Sequence, residues 1–284
     1  MGERQRLRIP DPVAAALACP HCGNGMQQQG TALACRTGHS FDAARQGYVN
    51  LTVGRPATTG DDRDMVQARS AFFDAGHYAP LSAVLADHAA QRWTGGLVAD
   101  IGAGTGHHLA AVLDALPKAY GLAVDVSRYA LRRAARAHPR AGAVGCDVWR
   151  GLPLAADSVG VLLNVFAPRN GAEFARVVQR GGTLLVVTPG RRHLAELRSH
   201  VELIAVDPRK EERLAAQLHR SFTQEADEQF TLPLRLSHAE AATLVGMTPN
   251  ARHTTSEAVR SRLARLPEPV EVTAVFRLSV YRRR

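Results

Sequence analysis

The stretch "GGLVADIGAGTGHHLAAVLDAL", Gly95 to Leu116, constrains the fold more than any other part of the chain. Leu97 to Ile101 is an apolar run that reads as a buried strand, Gly102, Gly104 and Gly106 form a turn, and an amphipathic helix follows. The same alternation then repeats. "AYGLAVDVS" is a second strand ending at Asp125, with a helix predicted over Arg128–His138, and "AGAVGCD" is a third strand ending at Asp147. "SVGVLLNVFAP" is a fourth, closing on Asn164 to Pro168, and "ARVVQRGGTLLVVTPG" gives a helix, a Gly-Gly turn and a fifth strand. Nearly continuous apolar strands suit a parallel sheet covered on both faces. The chain is therefore predicted to be α/β and doubly wound, with its ligand at the carboxyl ends of the strands. The final "VEVTAVFRLSVYRRR" alternates as a strand that completes the sheet.

The glycine turn also carries chemistry. A dinucleotide fingerprint would need a third spaced glycine where His107 stands. With Asp100 leading, D-x-G-x-G-x-G instead resembles the first motif of class I (Rossmann-like) S-adenosylmethionine methyltransferases. That resemblance places the methyl donor against Asp100, Gly102, Gly104, Thr105, Gly106, His107 and His108. It also places the ribose diol at Asp125 and the adenine near Asp147. Taken singly, each of these aspartates has a strand-end cap as its alternative reading.

Near the N-terminus, "CPHCGNGMQQQGTALACRTGH" spaces its ligand-type residues as Cys19-x2-Cys22-x12-Cys35-x3-His39. Two cysteines two residues apart present both thiolates to one ion, and a second pair a dozen residues later closes a tetrahedron. Pro20, Gly23 and Gly38 favour the tight turns this needs. Three cysteines cannot pair off as disulfides, and with four ligands and no open position the Zn2+ is read as structural. His21 is a conceivable substitute ligand, and Cys146, alone among apolar residues, is read as a core cysteine.

Charge narrows the partners. The net charge is +9 and nearly all the basic residues are arginine, whose planar fork suits phosphate. No apolar run reaches the length of a membrane span, and Pro10, Asp11 and Pro12 interrupt the N-terminal apolar patch. The expectation is a cytoplasmic protein with no membrane partner. Between the cysteine cluster and the α/β core, Val66, Phe72, Phe73, Leu81, Val84 and Leu85 predict bridging helices, broken at Gly76 to Tyr78. Tyr78 either folds over the cofactor pocket or packs in a hinge. Residues 205–230 are charged and weakly patterned and read as an exposed insertion, whereas Ser237 and Glu240 form a capping box. The predicted organisation is a zinc-binding, RNA-recognition module over 1–55, a helical linker over 56–92 and a methyltransferase domain over 93–284.

The order of motifs resembles one family. The zinc segment, "GHSFDAARQGYVNL", "QARSAFFDAGHYAPL", "DIGAGTGHH", "NVFAP" and "TPGRRHL" together are similar to ribosomal large-subunit methyltransferase A. The resemblance implies methylation of guanine N1 in hairpin 35, domain II, of 23S rRNA, and a homodimer. It implies that Cys19, Cys22, Cys35 and His39 hold the zinc. It also sets Tyr78, the turn from Gly102 to His108, and His193 around S-adenosylmethionine. Some members carry Cys and Glu where this chain has Ala103 and Thr105. The Arg- and Ala-rich composition resembles actinomycete members, one type of which protects against tylosin-like macrolides; housekeeping methylation of the neighbouring guanine and a small-molecule substrate are the alternatives. Asn164 and His107 are weak catalytic candidates, because N1 carries a proton that must leave. Arg36, Arg45, Arg55 and Tyr48 are candidates for following phosphate and stacking on loop bases.

Overall fold

The computed structural model describes residues 7–56, 59–201, 218–252 and 254–284. Its main sheet has eight strands in the order β10-β11-β9-β8-β5-β6-β7-β4. The central five follow the predicted apolar runs: β5 (Leu97–Ile101), β6 (Gly121–Asp125), β7 (Ala141–Gly145), β8 (Val159–Val165) and β9 (Val178–Pro189), the last starting ahead of Gly181–Gly182, where a turn was expected. All pair in parallel. β11 (Val270–Arg283) lies antiparallel between β9 and β10 (Phe222–Leu236).

Alternate residues of each central strand face opposite cores. Val98, Ala123, Val161 and Leu185 point to one core with α3 (Ala79–Arg92) and α4 (His107–Ala115). Ala99, Leu122, Leu162 and Leu184 point to the other with α6 (Gly171–Val177). Fully burying each such Leu or Val contributes ~1.5–3 kcal/mol relative to exposing it. The first face also holds α2 (Arg63–Asp74), which starts at an Asp62 cap accepting from the N–H groups of Asp64 and Met65. α5 (Arg128–Ala134) is shorter than predicted, because the chain turns at Ala135 ahead of Pro139.

The cysteine-rich segment forms a small antiparallel sheet of β1 (Met26–Gln29), β2 (Ala32–Cys35) and β3 (Ser40–Asp42), preceded by α1 (Asp11–Ala16). It shares a core with the main domain: Ile9, Val13, Leu17, Leu33 and Leu51 pack in one cluster with Val124, Val144 and Leu154. β4 (Val49–Asn50) leaves the small sheet's neighbourhood and pairs in parallel with Val144 and Gly145 at the edge of the main sheet.

One further expectation changes. Residues 205–217 of the expected insertion lie outside the described residues, but Phe222 onward is not an exposed loop: it is the long edge strand β10. Its alternation is muted because an edge strand keeps one side in water, and its charges sit there. Before it, α7 (Ala195–Arg198) is a single turn; past it, α8 (His238–Gly246) begins at the predicted Ser237–Glu240 capping box and α9 (Ser256–Leu263) packs beside it.

Candidate functional site

The glycine turn sits where β5 ends. Gly102, Gly104 and Gly106 have φ of 80°, 55° and 84°, a left-handed backbone that side chains disfavour. A Cβ on Gly102 would lie 2.3 Å from the Cβ of Ala167, so this glycine is what lets the loop after β8 close against the turn.

Asp125, at the end of β6, is fixed from two sides. Its Oδ2 accepts from the Gly104 N–H at 2.8 Å and its Oδ1 from the Ser127 N–H at 2.8 Å. Burial raises its pKa while these two N–H bonds pull it down. Asp100 is different. It is buried, its Oδ1 has no hydrogen-bond partner, and burial followed by repulsion from Asp125 pushes its pKa up to about 8. A carboxylate oxygen left without a partner at the floor of a glycine turn fits a cationic ligand, such as the donor's ammonium or sulfonium group.

The histidines divide by role. His107 is engaged at both ring nitrogens, by Thr105 Oγ1 at 2.8 Å and by Asp74 Oδ1 at 3.0 Å, and it stacks on Phe73. His108 is buried on Ser82 Oγ at 2.8 Å, and burial drives its pKa down to about 3. His193 places Nδ1 against both backbone groups of Val275, at 2.8 Å from the C=O and 3.1 Å from the N–H. One Nδ1 satisfies one of these at a time, so the tautomer decides which. Burial lowers the His193 pKa to about 4, and the ring is neutral.

Tyr78 is buried at the head of α3 in an aromatic cluster with Phe72, Phe73 and Phe276, and burial raises its phenol pKa. Phe276 joins that cluster to His193, 5.3 Å away between ring centres. Asp147 lies two residues beyond β7 and caps a single 3-10 turn, Val148–Arg150, by accepting from the Trp149 N–H. Asn164 is fully buried; its amide donates to the carbonyls of Ile101 and Pro168, and its oxygen accepts from Arg169 Nε at 2.9 Å. These bonds make Asn164 the brace of the Val165–Pro168 loop.

Several residues here were invisible in the sequence. Arg69 on α2 pairs with Asp61 at 2.7 Å and reaches the Met247 carbonyl, and its side chain lies over Gly104. The Asp61 carbonyl in turn accepts from Ser127 Oγ, so the segment entering α2 crosses the end of β6 beside Asp125. "QARSAFF" marks Arg69 only as part of a motif; the reach to a residue 178 positions away has no local signal.

The metal site forms as predicted. The ligand atoms of Cys19, Cys22, Cys35 and His39 all lie within 4.8 Å of one another. Cys22 and Cys35 sulfurs are 3.7 Å apart, and His39 Nδ1 is 3.5 Å from both Cys19 and Cys35. A tetrahedron with Zn–S bonds of about 2.3 Å has edges of about 3.8 Å, so the closer donor pairs already match the ion and the widest need draw in by only about 1 Å. The Thr37 hydroxyl, 3.0 Å from two of the sulfurs, lowers the Cys22 pKa to about 5 and that of Cys35 to about 7. His21 is outside the cluster; it stacks on Phe41 and tilts over His39. Cys146 is a core cysteine, with Sγ on the Gly151 carbonyl and its pKa raised to about 12 by burial.

A parallel sheet with one reversed strand, a glycine turn after its central strand and a separate tetrahedral thiolate site define a class I S-adenosylmethionine-dependent methyltransferase carrying a zinc ribbon. The solved structure of the YcgJ protein from Bacillus subtilis shares this fold, with a TM-score of 0.51 at 16% identity over 72% of this chain and 98% of that one. A family model described as the N-terminal zinc ribbon of RlmA matches residues 17–53. A Micromonospora griseorubida protein named for 23S rRNA (guanine-N1) methyl transfer is 52% identical, over 94% of this chain and 97% of its own. The 23S rRNA (guanine(748)-N(1))-methyltransferase of Streptomyces fradiae is 46% identical over 95% of this chain and 98% of its own. The chain belongs to the RlmA-type family of 23S rRNA (guanine-N1)-methyltransferases.

Proposed function

We propose that the protein transfers the methyl group of S-adenosylmethionine to N1 of a guanine in hairpin 35 of 23S rRNA. The guanine is the one named for the Streptomyces fradiae relative, and the consequence is resistance to tylosin-like macrolides. The observation that carries this reading is the near full-length similarity to that relative, over 95% of this chain and 98% of its own. In it, residues 1–55 recognise RNA, 56–92 link, and 93–284 perform the transfer in the cytoplasm. A homodimer is part of the same reading, supported by the family resemblance, and light scattering on the purified protein tests it.

When bound, the donor supplies a methyl group on an electrophilic sulfonium. The chain's own groups then have three tasks. Asp100 and the turn from Gly102 to His108 seat the donor, with Tyr78 and His193 alongside, and Asp125 and Asp147 meet the ribose and adenine. Asn164 holds the Val165–Pro168 loop against the turn, which sets the distance between donor and base. N1 would take the methyl as the carbon–sulfur bond of the bound donor breaks, and its proton would leave to water or to a neutral imidazole. His107 has both nitrogens engaged, so it shapes the turn and takes no proton; His193 Nε2 has no polar partner among the described residues. With a pKa of about 4, His193 is a weak acceptor, and orientation carries more of the rate than base strength.

RNA as substrate is further supported by the α5 surface. Arg132, Arg133 and Arg136 are exposed and line a cavity of about 660 Å³ that Gln46 also lines. Primer extension on 23S rRNA from cells with and without the protein tests the reading. A new stop at the named guanine is expected; an unchanged pattern overturns it.

A further inference from the structure

Phe166 is out of place for an aromatic side chain. It is 41% exposed, and its φ of 52° lies in the left-handed region that bulky residues avoid. Its N–H donates to the Val187 carbonyl at 3.0 Å, and Asn164 braces the loop from beneath. Its neighbour Ala167 packs directly on Gly102 of the donor turn. Behind the ring stand His193 and Phe276, each 5.8 Å away between centres. Leu194, next to His193, is likewise held at a φ of 54°. Backbone strain of this kind, held by surrounding packing beside a reacting centre, marks a side chain that is being presented.

A base inside an RNA hairpin exposes no N1 to a sulfonium and must leave its stack first. Leaving the stack removes one flat partner, and the protein must supply another. We propose that Phe166 is that partner: its exposed ring stacks on the extruded purine and sets the N1 edge toward the donor seated on Gly102. This rests on the rRNA reading and assigns a residue to it. His193 and Phe276 keep the ring from rotating away when no base is present.

The experiment uses the full-length zinc-loaded protein and a 23S rRNA fragment bearing the target guanine, with 2-aminopurine replacing that guanine for fluorescence. Phe166→Ala is expected to lower kcat/KM for the RNA by about 5- to 150-fold, the range that one base–aromatic stack provides. It leaves S-adenosylmethionine affinity unchanged, and Phe166→Tyr restores activity. In the wild type, stacking quenches the extruded 2-aminopurine; in Phe166→Ala it fluoresces. Phe166→Gly separates the ring from the strained backbone, because glycine takes the left-handed φ freely: RNA methylation falls as in Phe166→Ala while donor affinity is kept. Wild-type kcat/KM in Phe166→Ala overturns the proposal, as does an equal loss of donor affinity. A wild-type protein that methylates no 23S rRNA fragment overturns the rRNA reading and the proposal together.

Discussion

Asp100 makes the sharpest test of how the donor site is built. Its carboxyl ordinarily titrates at 3.8 and is pushed to about 8 in the fold, first by burial and then by Asp125. Because the folded pKa is raised, the unfolded chain ionises first as pH climbs, so this group costs stability between those values. The cost is absent below pH 3.8 and complete above about pH 8. The interval sets a ceiling of roughly 6 kcal/mol at ~1.4 kcal/mol per unit. Relaxation around a buried ion leaves a cost of several kcal/mol, so replacing the charge with an amide of the same shape should return ~2–4 kcal/mol. Asp100→Asn is therefore expected to raise the Tm of the ligand-free protein above pH 8 by ~5–10 °C, at roughly 2–3 °C per kcal/mol for a chain of this length. The gain shrinks as pH falls toward 4. Donor binding moves the opposite way: losing one charge-assisted contact weakens S-adenosylmethionine by about 10- to 150-fold. In the wild type near neutral pH, donor binding forces Asp100 to ionise and releases a proton, which calorimetry in two buffers of different ionisation enthalpy detects. An Asn variant that is no more stable at high pH, with unchanged donor affinity and no difference in proton release, refutes the reasoning.

Three further outcomes follow from other parts of the molecule. Gly102→Ala meets both the 80° φ and the Ala167 methyl, so donor affinity is expected to fall at least about tenfold, the equivalent of ~1.4 kcal/mol; an unchanged isotherm contradicts this. Removing zinc, or Cys35→Ser, is expected to strip hydrogen-exchange protection from 19–42 while β5 to β9 and donor binding persist, since structural zinc supplies ~10–16 kcal/mol in small ribbons. Loss of protection across the whole sheet refutes that separation. Replacing both Arg132 and Arg136 by Ala should reduce the slope of log K against log salt for RNA binding by about 1–2; an unaltered slope removes α5 from the RNA surface.

The elements legible in the sequence were those with a one-dimensional signature. β5 through β9 are apolar runs because both faces of a parallel strand are covered, and the zinc ligands announce themselves by spacing. β10 was not legible. Its "TQEADEQ" stretch is polar because an edge strand needs only backbone partners on one side, and β11 supplies them. The site was legible where a motif fixed a backbone shape, as at Gly102. It was illegible where function rests on distance in three dimensions. The Arg69–Asp61 pair, the Ser82 brace on His108 and the unpartnered oxygen of Asp100 follow from packing alone.

The two-residue strand β4 has a consequence for how the protein can be divided. A Cβ on Gly145 would sit 2.5 Å from the Asn50 Oδ1 and 3.3 Å from the Asn50 Cα, so a side chain there would have to push Asn50 aside. Cutting the chain after residue 55 would not free a self-contained transferase. It would leave β7 with an unsatisfied hydrogen-bonding margin and uncover Val124, Val144 and Leu154, a surface primed for association with other copies. Residues 7–56 and the main sheet therefore share one apolar core, even where the zinc-bound loop itself can open.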